Sequence, residues 1–401
     1  MQDVRPRVRP DVQPSHPILT GYPLFDAILN EDALCNLILD SCSAKGLVLL
    51  LRTSHAIRGI VFNYMKRTFD VDKLLSRYFT YPLSFRQLQA CTGTLISGST
   101  ALQFFDRTFY PESDLDIYVP RAWRSEVGRF LLQAGYKFVR HPPQHPTFIN
   151  AVFEHGVSTA TANYGNFKGI SGVFNFEKDG RHGEKLKIQL MVAVRSAIEP
   201  ILHYHSSQSF TIDVMHVNLP QDLATVMNVI AFDTAYCLYP HATLEERLSL
   251  ACTVRQDRTL EGIWRKYMGR GWRIVHRVDH LESRTSDVAL HRRRTRWIND
   301  GLSWSIKLPV PPGFENSLPP LNRRTEALCR DPVSITTWKL TVCEGSRTGK
   351  TVFIHRQSVN MFYTYVFANE EPFRAASVRN LLEFASLANA GCHSNALYAR
   401  H

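Results

Sequence analysis

The sequence predicts an α+β fold in three stretches: a small helical bundle, a mixed sheet with helices, and an α/β extension. Three observations carry this. Up to about residue 82, apolar residues recur at helical spacing. From about 83 to 240, helical and strand-like segments take turns, which is the pattern of a sheet with helices packed on it. From 241 to 401 helices give way to a Pro-rich connector and then to alternating, strand-like residues.

Residues 1–17, rich in Arg and Pro without an apolar core, read as a solvated tail. In residues 18–82, Asn30, Ser43 and Ser54 stand where helix caps belong, ahead of "EDALCNLIL", "AKGLVLLL" and "HAIRGIVFNYMKRTF". Ile57, Ile60, Val61, Tyr64 and Met65 form one apolar stripe on the third of these helices. "DVDKLLSRYF" repeats the pattern with Val71, Leu74, Leu75 and Tyr78. No acid, base or metal cluster accompanies these helices, so their expected role is structural or adaptor-like.

In residues 83–240, "FRQLQAC" reads as a helix, "TLISG" as a buried strand and "STALQFFDR" as a helix starting at Ser99. "DLDIYV" alternates, with Leu115, Ile117 and Val119 on one face and Asp114, Asp116 and Tyr118 on the other. Ser125 is placed to cap the next helix, which Gly135 ends before a further strand. "SGVFNFE" and "KLKIQLMVA" flank the turn "KDGRHG" as a hairpin.

In residues 241–401, "TLEE" (Thr243, Glu246) has capping-box spacing and predicts a helix, and "RTLEGIWRKYMG" predicts another before the strand-like "RGWRIVH". Residues 309–320 hold five prolines in twelve positions and read as a connector. "EGSRTGKT" (344–351) approaches a phosphate-binding loop, but the first glycine is displaced, and alternating segments lie on both sides. A hairpin turn is expected there. A closing helix is expected from Pro372 to before Gly391. His203, His205 and His216 lack an accompanying Cys or acid and read as hydrogen-bonded residues rather than metal ligands.

Composition narrows the setting. Hydrophobic residues make up 44% and charged residues 21%, ordinary values for a globular chain. The eight cysteines are scattered without a CxxC pair, as in a cytoplasmic or nuclear protein. The longest apolar run, "GLVLLL", is far below the ~20 residues a membrane span needs, so no membrane partner is expected. Net charge is +11, and residues 254–297 hold twelve Lys or Arg against five Asp or Glu. That patch could attract nucleic acid through its phosphates, although a solvated basic surface is the simpler reading.

The chemistry concentrates in "SGST" and "ESDLDIYV". Two carboxylates one residue apart on a strand converge on one face, and raise each other's pKa unless a cation sits between them. Mg²⁺ is held by carboxylates together with substrate phosphates, which makes it the natural occupant for Asp114 and Asp116. Gly98 permits close backbone approach and Ser99 offers a hydroxyl where a strand turns into a helix, a ready phosphate site. A phosphate cradle followed by paired acids is the equipment of phosphoryl or nucleotidyl transfer.

In this order the segments resemble the nucleotidyltransferase core of polymerase-β-type enzymes. "LFDAILNEDALCNLIL" through "LVLLLRTSHAIRGIVFNYMKR" resembles an F-box-type segment. With "KIQLMVA" and "TVMNVIAFDTAYCLYPHATLEER", residues ~20 to ~250 are similar to a group of fungal proteins combining these two parts. The resemblance implies that Asp114 and Asp116 hold Mg²⁺ and that a nucleoside triphosphate is bound. It also implies that residues 18–82 dock a ubiquitin-ligase linker protein. In the group a "T-x-M-N" helix closely follows an "HS" element, whereas here residues 208–224 intervene as an apparent insertion.

One position departs from the pattern. The third carboxylate, which holds the catalytic metal and assists the attacking hydroxyl, matches Gln189 in "KLKIQLM". An amide can ligate Mg²⁺ weakly but cannot serve as a base. Glu184, near the hairpin turn, is poorly placed to replace it, and Asp213 lies within the apparent insertion. The expectation is therefore a degenerate nucleotidyltransferase, binding nucleotide or protein, with an adaptor head. The alternative is an active Mg²⁺-dependent nucleotidyltransferase using Asp114 and Asp116.

Overall fold

A computed structural model describes residues 31–157, 169–180, 183–194, 196–203, 227–250, 258–275, 294–298, 300–312, 331–334, 336–343, 351–358 and 363–365, with 23, 27, 28, 290 and 314. The expected insertion (208–224), His205 and His216, residues 344–350 and the closing helix lie outside these residues. The chain divides into two compact units, 1–68 and 69–401.

Among the described residues of the first unit are three helices, α1 (Asp32–Ser41), α2 (Ala44–Leu50) and α3 (His55–Thr68). Ser43 caps α2 by accepting the Gly46 N–H at 3.2 Å, and Ser54 accepts the Ile57 N–H at 3.3 Å. Glu31, not Asn30, occupies the cap position of α1, and its side chain makes no cap bond. Cys35, Leu39, Leu47, Val61 and Tyr64 are buried together with the Tyr64 hydroxyl, which donates to Asp40 Oδ1 at 2.6 Å. The outward face of α1 is unusual. Leu34, Leu37 and Ile38, at helical neighbour spacing, are 45%, 64% and 49% exposed.

The second unit opens with α4 (Val71–Leu75) and α5 (Pro82–Thr92), the latter with proline at its first position and Gly93 in the left-handed region at its end. Next come β1 (Leu95–Ser97), α6 (Gly98–Asp106), β2 (Leu115–Pro120), α7 (Arg124–Gln133), β3 (Lys137–Val139) and α8 (Phe148–Val157). After these follow β4 (Ile170–Asp179), β5 (Lys185–Ala193), α9 (Ile198–His203), β6 (Asn228–Ile230) and β7 (Thr234–Cys237). The remainder comprises β8 (Leu248–Leu250), α10 (Arg258–Gly269), β9 (Arg273–Val275), β10 (Thr295–Trp297), β11 (Trp304–Lys307), β12 (Thr336–Cys343), β13 (Thr351–Ser358) and β14 (Tyr363–Tyr365).

Eight strands form one mixed sheet in the order β11-β7-β6-β1-β2-β5-β4-β3, in which β2 and β5 run parallel and the other pairs antiparallel. The fold is thus mixed α/β around a large mixed sheet, and the sheet draws β11 from well beyond residue 240. β12 and β13 pair antiparallel on either side of the 344–350 segment, as expected of a hairpin rather than a phosphate loop.

The two faces of the sheet differ. On one, Phe138, Phe148, Phe174 and Phe176 meet with ring centroids 5.2–6.2 Å apart, which seats α8. Gly128 on α7 admits the Phe148 ring, since a Cβ there would lie 1.9 Å from it. On the other face, Leu95, Tyr118, Val173 and Met191 join Trp264 and Tyr267 of α10 in the largest buried cluster.

Three local expectations need correction. "TLEE" does not start an α-helix: His241–Glu245 make one wide π-type turn, Arg247 takes a positive φ of 46°, and β8 follows. Trp272 explains the arrest, because its indole N–H donates to the Thr243 carbonyl at 3.0 Å and the Arg247 guanidinium stacks 4.7 Å from its ring. Residues 228–230 are a strand rather than part of a helix, held by pairing with both β1 and β7. Helix α7 begins at Arg124 with Trp123 at the cap position, so Ser125 lies inside its first turn.

Candidate functional site

β1 ends at Ser97, and the chain turns at Gly98 directly into α6. Gly98 has φ +70°, a conformation glycine adopts without strain. A second demand falls on the same residue: a Cβ at 98 would lie 2.0 Å from Asp116 Oδ2. The Asp116 carboxylate therefore rests against bare backbone at the N-terminal end of a nine-residue helix, where amide donors are not used up by the helix itself. The two motifs singled out in the sequence meet here.

The loop before β2 is fastened to the first turn of α6. Thr100 donates its hydroxyl to the Asp114 carbonyl at 2.7 Å, and Ser99 Oγ donates to Ser113 Oγ at 3.2 Å. Gln103 braces both sides, its amide donating to the Ser99 carbonyl at 3.1 Å and its Oε1 accepting the Tyr110 N–H at 2.6 Å. Ser99 is 5% exposed, so its hydroxyl is engaged inside this clamp.

Register then defines a polar row across the sheet. Ser97 pairs with Asp116, Asp116 with Gln189, and Gln189 with Asn175, so all four side chains share one face. Asp116 and Gln189 are 2% and 5% exposed. Gln189 Oε1 and Asn175 Oδ1 are buried and accept no hydrogen bond from any described residue. The Asn175 amide nitrogen lies against His141 Nε2. Toward the solvent end of this face, Glu177 pairs in register with Lys187, and its carboxylate lies 3.8 Å from the Lys187 ammonium and 3.7 Å from that of Lys185. Toward the interior, Tyr118, Met191 and Val173 close the face with apolar packing.

A cationic and aromatic rim borders the acids. Arg77 donates to the Tyr110 carbonyl at 3.3 Å and to the Pro111 carbonyl, and its guanidinium stands 5.1 Å from the ring of exposed Phe109. Arg270, just past α10, pairs with Glu112 at 2.5 Å and stacks 3.7 Å from the Tyr110 ring. Lys266 of α10 interacts electrostatically with Asp114, Asp116 and Glu112.

Burial raises the pKa of Asp116 well above the ordinary range; the charge of Asp114 adds to this and Lys266 opposes it. Asp114 is raised too, by burial first, while Lys187, Lys266 and Arg77 pull it back. Burial lowers the Lys266 pKa, reinforced by Arg270 and opposed by the two aspartates. The acids are thus held near cations yet are costly to ionise, a cost that protonation or a further cation would relieve.

Gly98, Ser99, Asp114 and Asp116 are brought together, and Gln189 stands beside Asp116 in the position discussed from the sequence. Glu184 lies at the hairpin turn, against Gly180, away from the row. Among the described residues no group of three or more His, Cys, Asp or Glu gathers as a metal cluster. The donor set that does exist, two carboxylates beside a bare glycine, fits one hard cation shared with a phosphate. Sequence reading missed Asn175. The hairpin contained the signal, since pairing Asp179 with Lys185 across the turn fixes Asn175 opposite Gln189. It also missed Lys266 and Arg270, which approach from a helix some 150 residues away in the chain, as the 158-residue separation of Arg270 and Glu112 shows.

Comparison with protein-family models, with curated proteins and with solved structures finds no match to this chain.

Proposed function

We propose that residues 69–401 carry a nucleotidyltransferase-type core of the polymerase-β kind that has lost transfer and retains a nucleotide site. Gly98 and the first amides of α6 take phosphate, and Asp114 and Asp116 hold one Mg²⁺ shared with that phosphate. The observation that supports this most is the contact of Gly98 with the Asp116 carboxylate, beside a neutral Gln189 in register with it. A bound Mg²⁺ would neutralise the paired acids and polarise the phosphate. Because Ser99 faces Ser113, the cradle relies on backbone amides and on Ser113 rather than on the Ser99 hydroxyl.

Loss of transfer follows from Gln189. An amide brings no negative charge for a second metal and cannot accept the proton of an attacking hydroxyl. The active-enzyme alternative would need another carboxylate in the row, and Glu177 is already engaged with Lys185 and Lys187.

For the first unit we propose an adaptor role, in which the exposed Leu34, Leu37 and Ile38 of α1 contribute to docking a ubiquitin-ligase linker protein. Three of ten positions in α1 being exposed and strongly apolar supports that reading.

Thermal unfolding of the full chain with ATP and Mg²⁺ tests the nucleotide site. Stabilisation is expected in the native chain and not in Asp114→Ala. No stabilisation of the native chain would remove the site. Incubation with labelled nucleoside triphosphates is expected to transfer no label; transfer abolished by Asp116→Ala would restore the enzyme. Leu37→Asp is expected to end co-purification with a linker protein, and undiminished capture would reject the adaptor face.

A further inference from the structure

The polar row does not end at the aspartates, and its far half has chemistry of its own. Gln189 is 5% exposed, and its Oε1, like Asn175 Oδ1 in the next strand, is a buried acceptor with no donor among the described residues. Buried acceptors left unpaired are unfavourable, so two side by side point to a ligand that donates. Phosphate cannot be that group at this end, because its oxygens are acceptors and would face amide oxygens and Asp116. A metal ion is better served by the carboxylates. A hydroxyl fits, being a neutral donor matched to neutral acceptors.

The sheet order separates the two ends. Gly98 follows β1, Asp116 lies on β2, and Gln189 and Asn175 lie on β5 and β4. With strands about 4.8 Å apart, the distance from the turn after β1 to Gln189 is roughly 10 Å, and to Asn175 roughly 14 Å. An inorganic phosphate does not cover that distance; a phosphate ester with a sugar does.

We propose that Gln189 and Asn175 form the sugar-hydroxyl end of the nucleotide site, accepting hydrogen bonds through Oε1 and Oδ1 from ribose hydroxyls. The inference rests on the nucleotide reading above, with phosphate at Gly98. It gives the residue that departs from the catalytic pattern a positive role: Gln189 selects ribonucleotides instead of holding a second metal.

Calorimetric titration of the full chain, with Mg²⁺ present, compares ATP with 2′,3′-dideoxy-ATP. The native chain is expected to bind ATP about tenfold more tightly, the effect of one or two buried hydrogen bonds. Gln189→Met, close in size and lacking the acceptor, is expected to bring ATP down to the dideoxy affinity while leaving the latter unchanged. Asn175→Ser is expected to narrow the preference and decides the matter if Gln189→Met does not fold. Equal affinity for both nucleotides in the native chain would overturn this inference and leave the nucleotide site standing. A preference surviving in both variants would do the same. Binding of neither nucleotide would overturn both readings.

Discussion

Gln189→Glu is the substitution that most directly interrogates the polar row. Residues in register on neighbouring strands hold their Cβ atoms about 4.5–5.5 Å apart, and Gln189 stands in register with Asp116. Two unit charges ~5 Å apart at an effective dielectric of ~20 repel by about 332/(20 × 5), or ~3 kcal/mol. Part of that is avoided by protonation, since Asp116 already favours its neutral form through burial and the charge of Asp114. A loss of roughly 1–3 kcal/mol in the metal-free protein at neutral pH is therefore expected. The same added charge attracts a cation, so Mn²⁺ followed by electron paramagnetic resonance should bind at least about tenfold more tightly than to the native chain. Urea unfolding measures the first effect, and Asp116→Asn in the Gln189→Glu background should recover most of the lost stability. If Gln189→Glu left both the unfolding midpoint and the Mn²⁺ affinity unchanged, residues 116 and 189 would not be neighbours and the row would not exist.

Further outcomes follow from the same structure. Gly98→Ala should cost about 2–4 kcal/mol in urea unfolding, combining positive-φ strain with a clash at 2.0 Å from Asp116 Oδ2. In an Asp116→Ala background only the strain, about 1–2 kcal/mol, should remain. Arg247→Ala removes the 2.8 Å partner of Asp106, whose side chain is 6% exposed, and the stacking on Trp272. Because Arg247 itself is 40% exposed, the expected loss is about 1–3 kcal/mol rather than that of a fully buried pair. The pKa values of Asp114 and Asp116 are raised in the folded protein, so their protonated forms favour folding. Metal-free stability should then be greatest below the ordinary aspartate value of 3.8 as far as these groups decide it, and fall as pH rises through the raised values. Mg²⁺ stabilisation should show the opposite trend, growing with pH; melting temperatures across pH with and without Mg²⁺ check both.

Local pattern made much of this legible. Alternation in "DLDIYV" placed Asp114 and Asp116 on one face, and register with Ser97 and Gln189 agrees with that for Asp116. Helix α10 runs from Arg258 to Gly269, the segment read as a helix in the sequence. What was not legible depends on packing between distant segments. "TLEE" has the spacing of a capping box, yet Trp272 takes the Thr243 carbonyl and the helix does not form. The resemblance puts a helix at "TVMN", yet pairing with two strands makes Asn228–Ile230 part of the sheet. Arg270 meets Glu112 and Tyr110 only because α10 covers the sheet face that the acids share.

Under the proposed nucleotide site, the arrangement of charge on that face suits a neutral residue at 189. Asp114 and Asp116 are offset by Lys266, Lys187 and Arg77, none of which closes over the acids as a direct ion pair among the described residues. Those cations lower the cost of two buried carboxylates without removing it, and the proposed Mg²⁺ would supply the remaining positive charge. A carboxylate at 189 would call for a second ion, and without one the row would lose the roughly 1–3 kcal/mol expected of Gln189→Glu. An amide there would let a single cation suffice and would leave an acceptor oxygen for the proposed ligand. Asp116 is buried, and the close approach of its carboxylate leaves no room for a Cβ at Gly98. Buried acids, a glycine at the turn and a neutral amide at 189 together suit the proposed reading, a pocket that holds its ligand without reacting with it.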